Sequence, residues 1–197
     1  MAELLQQILQ DARACTLCKE NLPLGPRPVV RAETNSPVLI IGQAPGTKVH
    51  ASGIPWDDVS GNNLRDWLGT DKAVFYDTSK IAIVPMGFCY PGKGKSGDLP
   101  PRPECAPKWH KPILSQLTNR KLTLLIGQYA QLHYLGKKHK TLTERVKQWA
   151  DAPDNYFPLP HPSPRNRIWM KKNPWFETEV LPELKRRFQS AIDHSSN

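Results

Sequence analysis

In this chain of 197 residues, four cysteines and three short loops carry residue types able to do chemistry. The cysteines form a C-x2-C pair, Cys15 and Cys18, then after a gap of 70 residues a C-x15-C pair, Cys89 and Cys105. In a reducing compartment four thiols are poor candidates for disulfides. Four thiolates suit a tetrahedral zinc or a [4Fe–4S] cluster. A zinc ribbon would normally offer a second close pair, so the split second pair favours iron–sulfur. The plain alternative is unliganded cysteines in a core, against which stand the Pro-, Lys- and Glu-bearing loops around them.

The first loop, GQAPG (Gly42 to Gly46), lets backbone approach a ligand closely while Gln43 offers an amide donor and acceptor. By itself it reads equally as a turn. The second, Gly53-Ile54-Pro55-Trp56-Asp57-Asp58, joins an aromatic to two carboxylates. Trp56 is a stacking platform for an unpaired base or a plug for the core, and stacking contributes ~1–3 kcal/mol per base. Asp57 or Asp58 could position a water, although at least one is expected to cap the helix that follows. The third, His161-Pro162-Ser163-Pro164-Arg165-Asn166, holds an imidazole donor in a proline-stiffened loop.

Such loops need a frame. Apolar runs at 38–41, 81–84, 122–126 and 156–159 read as buried strands, and helical patterns fall at about 2–14, 61–69, 105–118, 128–135, 141–150 and 174–192. Alternating strands and helices predict a three-layer α/β/α sandwich around a central four-stranded parallel sheet. Ligands of such sheets bind outside the carboxyl ends of the strands, where GQAPG, MGFCYPG, GQYA and PHPSPRN follow the four strands in turn and GIPWDD lies downstream in the first connection. The length suits one domain spanning 1–197. Residues 91–103 read as a surface loop and 194–197 as a frayed tail.

Composition narrows the function. The formal net charge of +9 favours a polyanionic partner. Arg165, Arg167, Lys171 and Lys172, interleaved with Pro162, Pro164 and Trp169, read as a nucleic-acid surface, whereas Lys185, Arg186 and Arg187 read as a solvated helix face. Lys137, Lys138 and Lys140 form a further basic cluster. No apolar run is long enough to cross a bilayer, and the N-terminal pattern is an amphipathic helix rather than a signal peptide. A cytoplasmic monomer with no membrane association is expected.

Taken in order, these motifs resemble the uracil-DNA glycosylase superfamily, specifically its iron–sulfur branch (families 4 and 5), over nearly the whole chain. In that branch a similarly spaced cysteine set holds a [4Fe–4S] cluster, which the resemblance places on Cys15, Cys18, Cys89 and Cys105. GQAPG matches the family 4 motif G-E-A-P-G with Gln43 in place of glutamate, GIPWDD sets Trp56 where an aromatic stacks on the flipped base, and HPSPRN matches the histidine-proline motif. Two departures bear on substrate. Pro85 stands where family 4 has an asparagine that reads the uracil edge, and Gln43 cannot take a proton from water at neutral pH.

The resemblance implies a monofunctional hydrolase acting on DNA that contains a deaminated base. His161 would donate to the departing base, with Gln43 and Asp57 holding the water. Gly42, Ala44, Trp56 and Pro85 would bound the base, and Pro162, Ser163, Arg165, Asn166, Arg167 and Lys171 would meet the DNA. Alternatives are the same fold acting on hypoxanthine or xanthine, a non-catalytic protein binding lesions or single strands, and a zinc-stapled nucleic-acid-binding domain.

Overall fold

A computed structural model describes residues 2–137 and 139–193; Lys138 and the tail expected at 194–197 lie outside the described residues. Four strands, β1 (Val38–Ile41), β2 (Ile81–Ile83), β3 (Leu122–Ile126) and β4 (Tyr156–Leu159), form one parallel sheet in the order β2-β1-β3-β4. All four residues of β1 are buried, because each face of the sheet is covered. Val38 and Ile40 pack into one core with Leu64, Trp67, Phe176, Leu184 and Phe188, while Leu39 and Ile41 pack into a second with Leu5, Leu9, Phe88 and Ile113. The period-2 alternation of a strand thus feeds two cores and makes three layers.

The first core is closed by α3 (Val59–Leu68) and α9 (Leu181–Asp193), the second by α1 (Ala2–Arg13) and α5 (Cys105–Leu114). Helix α6 (Gln128–Leu135) follows β3, and α7 (Leu142–Lys147) opens on a capping box between Thr141 and Glu144. The edge of β2 is covered by the segment around Arg31, whose N–H donates to Ile83 and whose carbonyl accepts from it.

The expected architecture is present. Three short helices, α2 (Thr47–Ser52), α4 (Lys72–Tyr76) and α8 (Arg167–Lys172), occupy stretches with no helical reading. At five or six residues each is too short to show a period. The pattern at 105–118 stops at Leu114, two residues past Pro112, and that at 141–150 divides into α7 and a 3-10 turn, Trp149–Asp151. The final one divides into a π-helical stretch, Phe176–Val180, and α9.

Candidate active site

The loops leaving the carboxyl ends of β1, β2 and β4 converge on a cleft of about 490 Å³. Gly42, Gln43, Ala44, Trp56, Asp58, Pro85, Asp98, His161, Ser163 and Arg165 are among the residues lining it. Sequence reasoning therefore places Gly42, Gln43, Ala44, Trp56, Pro85 and His161 around the space that they share.

Trp56 is held in an unusual way. It is a non-glycine residue at positive φ (58°), a conformation that disfavours a bulky side chain. Two glycines and an arginine fix it there. A Cβ at Gly61 would lie 1.8 Å from the Trp56 carbonyl oxygen, and one at Gly42 would lie 2.9 Å from Cζ2 of the indole. Arg65, buried within α3, donates to the Trp56 carbonyl at 3.4 Å, to the Tyr76 hydroxyl at 3.3 Å and to Asn62 Oδ1 at 2.6 Å. The indole thus rests on the bare backbone of Gly42, with the His161 ring 5.6 Å away at 34°.

Burial holds the His161 imidazole below its ordinary pKa, and the Asp58 carboxylate partly offsets that shift. Asp58 also caps α3, its Oδ1 accepting from the Gly61 N–H at 2.8 Å. Asp57 does not face the cleft: it is exposed, and its charge acts on Tyr76. Asp58 is fully extended (φ −152°, ψ −177°), so adjacent side chains point to opposite sides and only one of the two carboxylates faces inward.

The floor is built from backbone. Met86 N–H donates to the Gly42 carbonyl at 2.8 Å and Gly87 N–H to the Gln43 carbonyl at 2.9 Å, tying the loops after β1 and β2 together. Gln43 Nε2 donates to the Leu99 carbonyl at 3.1 Å. Pro85 presents no N–H, and its carbonyl bonds His110 Nε2 at 2.9 Å. Because a carbonyl only accepts, Nε2 carries the proton and Nδ1 accepts from the Tyr134 hydroxyl. His110 is 3% exposed, and burial lowers its pKa to about 4, so it is neutral.

The histidine-proline loop is braced by its own polar groups. Asn166 Nδ2 donates to the His161 carbonyl at 2.6 Å, Asn63 Nδ2 to the Pro162 carbonyl at 2.8 Å, and Ser163 Oγ accepts from Arg165 N–H at 3.2 Å. Pro162 is buried, and the Asn166 amide is spent within the loop. Arg165 reaches across the cleft to the Ser96 carbonyl at 3.3 Å, while Arg167 and Lys171 stand exposed on α8. Arg65, His110 and Asp98 were not singled out from the sequence, where each is an isolated polar residue without a motif.

The four cysteines line one small, separate cavity with Leu22, Phe88, Arg102 and Trp109. Burial pushes the Cys105 thiol up to about 12, against the backbone hydrogen bond that Phe88 N–H gives its sulfur at 3.3 Å. Burial likewise raises Cys89 and Cys18. Among the described residues no group of three or more His, Cys, Asp or Glu side chains is disposed to hold a metal ion.

A parallel α/β sandwich with an aromatic, an amide and an imidazole at the carboxyl ends of its strands defines a ligand-binding class of fold. A family model described as the Uracil DNA glycosylase superfamily matches residues 30–185, and the chain belongs to that superfamily. Gln43, Trp56, Pro85 and His161 fall inside the match, whereas Cys15 and Cys18 precede it.

Proposed function

We propose that this chain is a monofunctional DNA glycosylase that hydrolyses the N-glycosidic bond of a flipped, deaminated base, with uracil as its first substrate. The observation that carries this reading is the Trp56–His161 ring pair over Gly42, in one cleft with Gln43. A duplex hides its bases, so the target must leave the stack, at a cost of a few kcal/mol that is lower for a mispaired base. In the cleft the base stacks on Trp56.

Bond cleavage leaves negative charge on the base and positive charge on the sugar, so the catalytic groups must favour charges that scarcely exist in the ground state. His161, held neutral by burial, donates to the base carbonyl. The Gln43 amide nitrogen is taken by Leu99, which leaves its carbonyl oxygen to orient water. Asp58 replaces Asp57 as the carboxylate beside the imidazole. Arg165, Arg167 and Lys171 neutralise phosphates, and the loop 162–167 fills the gap left by the base.

A second reading, hypoxanthine or xanthine in place of uracil, is favoured by the wall at Pro85. Its side chain and missing N–H offer no hydrogen bond, and its carbonyl is occupied by His110. Duplexes bearing uracil, hypoxanthine or xanthine, incubated with the protein and then cleaved with alkali, separate these readings. Strand scission at uracil above the others supports the first; binding without scission at any base contradicts both.

Four cysteines line one cavity, a donor set suited to a [4Fe–4S] cluster or to zinc. The split C-x15-C pair favours the cluster, and Phe88 N–H supplies a hydrogen bond to the Cys105 sulfur. When bound, the group cross-links α1 to the segment between Cys89 and Cys105, a structural role.

A further inference from the structure

Among the described residues two carboxylates line the cleft, Asp58 and Asp98. Asp58 is engaged as the cap of α3. The Asp98 carboxylate, by contrast, accepts no hydrogen bond among the described residues. It lies over the loop that follows β1, with Oδ2 3.5 Å from the position a Cβ on Gly46 would take.

The segment carrying Asp98 is built to hold it there. Gly94 N–H donates to the Gly97 carbonyl at 2.6 Å and Leu99 N–H to the Gly92 carbonyl at 2.8 Å, closing a tight hairpin in which Lys93 bridges Asp98. Gly97, at φ 149°, takes a backbone conformation open to glycine. One side of the hairpin is tied to Gln43 through Leu99, the other to the His161 loop through Ser96 and Arg165. Asp98 is therefore suspended between the amide assigned to the water and the arginine assigned to the DNA. Burial raises the Asp98 carboxyl above its ordinary pKa, which suits a proton acceptor, and the cations Arg165 and Lys93 partly offset that shift.

We propose that Asp98 is the carboxylate that receives the proton of the attacking water, which makes it a catalytic residue from a loop outside the three motifs. This rests on the glycosylase reading above. The C1′–N bond breaks with its electron pair leaving on the base, whose carbonyl accepts from His161. The water oxygen forms the new bond to C1′, its proton passes to Asp98 and on to solvent, and the base anion takes a proton from solvent. An amide such as Gln43 can orient that water but cannot accept its proton. An ionised carboxylate also lowers the energy of the cationic sugar before the new bond forms.

The test is single-turnover base release from a uracil-containing duplex by the wild type, Asp98→Asn, Asp98→Glu and His161→Ala. Affinity is measured in parallel for a duplex carrying an uncleavable 2′-fluorinated deoxyuridine. Asp98→Asn is expected to slow release by about 100-fold, with affinity unchanged or tighter, and Asp98→Glu to recover part of the rate, which a merely structural loop residue would not do. Release by Asp98→Asn within tenfold of wild type, or a loss matched by an equal loss of affinity, overturns the proposal while the glycosylase reading stands. A wild type that releases no base from uracil, hypoxanthine or xanthine duplexes overturns the reading and the proposal together.

Discussion

Burial sets the chemistry of both histidines near the cleft, and it does so for different ends. Burial lowers the pKa of His161 beside Trp56, and in the proposed reaction it is the donor aimed at charge that appears only as the bond breaks. Loss of one such donor typically costs about 10²–10³ in rate. His161→Ala should therefore lose that factor in single-turnover base release while duplex affinity, read by fluorescence anisotropy, changes little. His110 is structural: it fixes the Pro85 carbonyl from below. Its folded pKa of about 4 lies under the ordinary histidine value, so the unfolded chain binds the proton more tightly. Stability is then full above about pH 6.5 and declines as pH falls toward 4, by on the order of 3 kcal/mol in total. Thermal melting between pH 7 and 4 should show that slope, and His110→Gln should flatten it. Gln43 and His161 were legible because each sits in a short motif directly after a strand, and Trp56 because its G-I-P-W-D-D segment lies in the same connection as GQAPG. His110 and Asp98 were not, since what they do depends on partners many residues away.

At the scale of elements, the turn entering α3 matters most. Its left-handed Trp56 exists because Gly61 leaves room for the Trp56 carbonyl and Arg65 holds that oxygen from within the helix. Gly61→Ala should destabilise the fold by about 1–3 kcal/mol or more through overpacking against rigid backbone, measured by urea unfolding. Gly42→Ala meets only the edge of the indole, so it should spare most of the stability yet displace the stacking face, reducing base release more than the melting temperature. The strands could be read from continuous apolar runs, and the longer helices from their period. Helices α2, α4 and α8 escaped because one and a half turns hold too few residues for a period to emerge, and α8 in particular hides among the basic residues Arg165, Arg167, Lys171 and Lys172.

Across the whole molecule, the excess positive charge and the cysteine cavity sit on the same framework as the cleft. Residues 85–89 run from the cleft wall to the cysteine cavity, contributing Pro85 to one and Phe88 and Cys89 to the other. Cys15→Ser should accordingly lower the melting temperature and abolish a visible iron–sulfur absorption band; a protein that keeps full stability and shows no such band in the wild type would remove the cluster from this account. Arg167 and Lys171 are exposed on α8. Replacing both with Ala should weaken DNA binding irrespective of sequence and reduce the slope of log affinity against log salt by about 2. The parallel sandwich followed from strand–helix alternation alone, but the convergence of three loops on one cleft required the strand order.

The central claim is that an indole, an imidazole and an amide together hold an extruded base while its bond to the sugar is cut. It is tested most directly by chromatographic detection of the free base released from uracil-containing DNA. Free uracil should accumulate with the wild-type protein, fall about 100-fold or more with His161→Ala, and leave an abasic site with no trapped protein–DNA adduct. Equal release by the wild type and His161→Ala would contradict the account, as would a borohydride-trapped adduct.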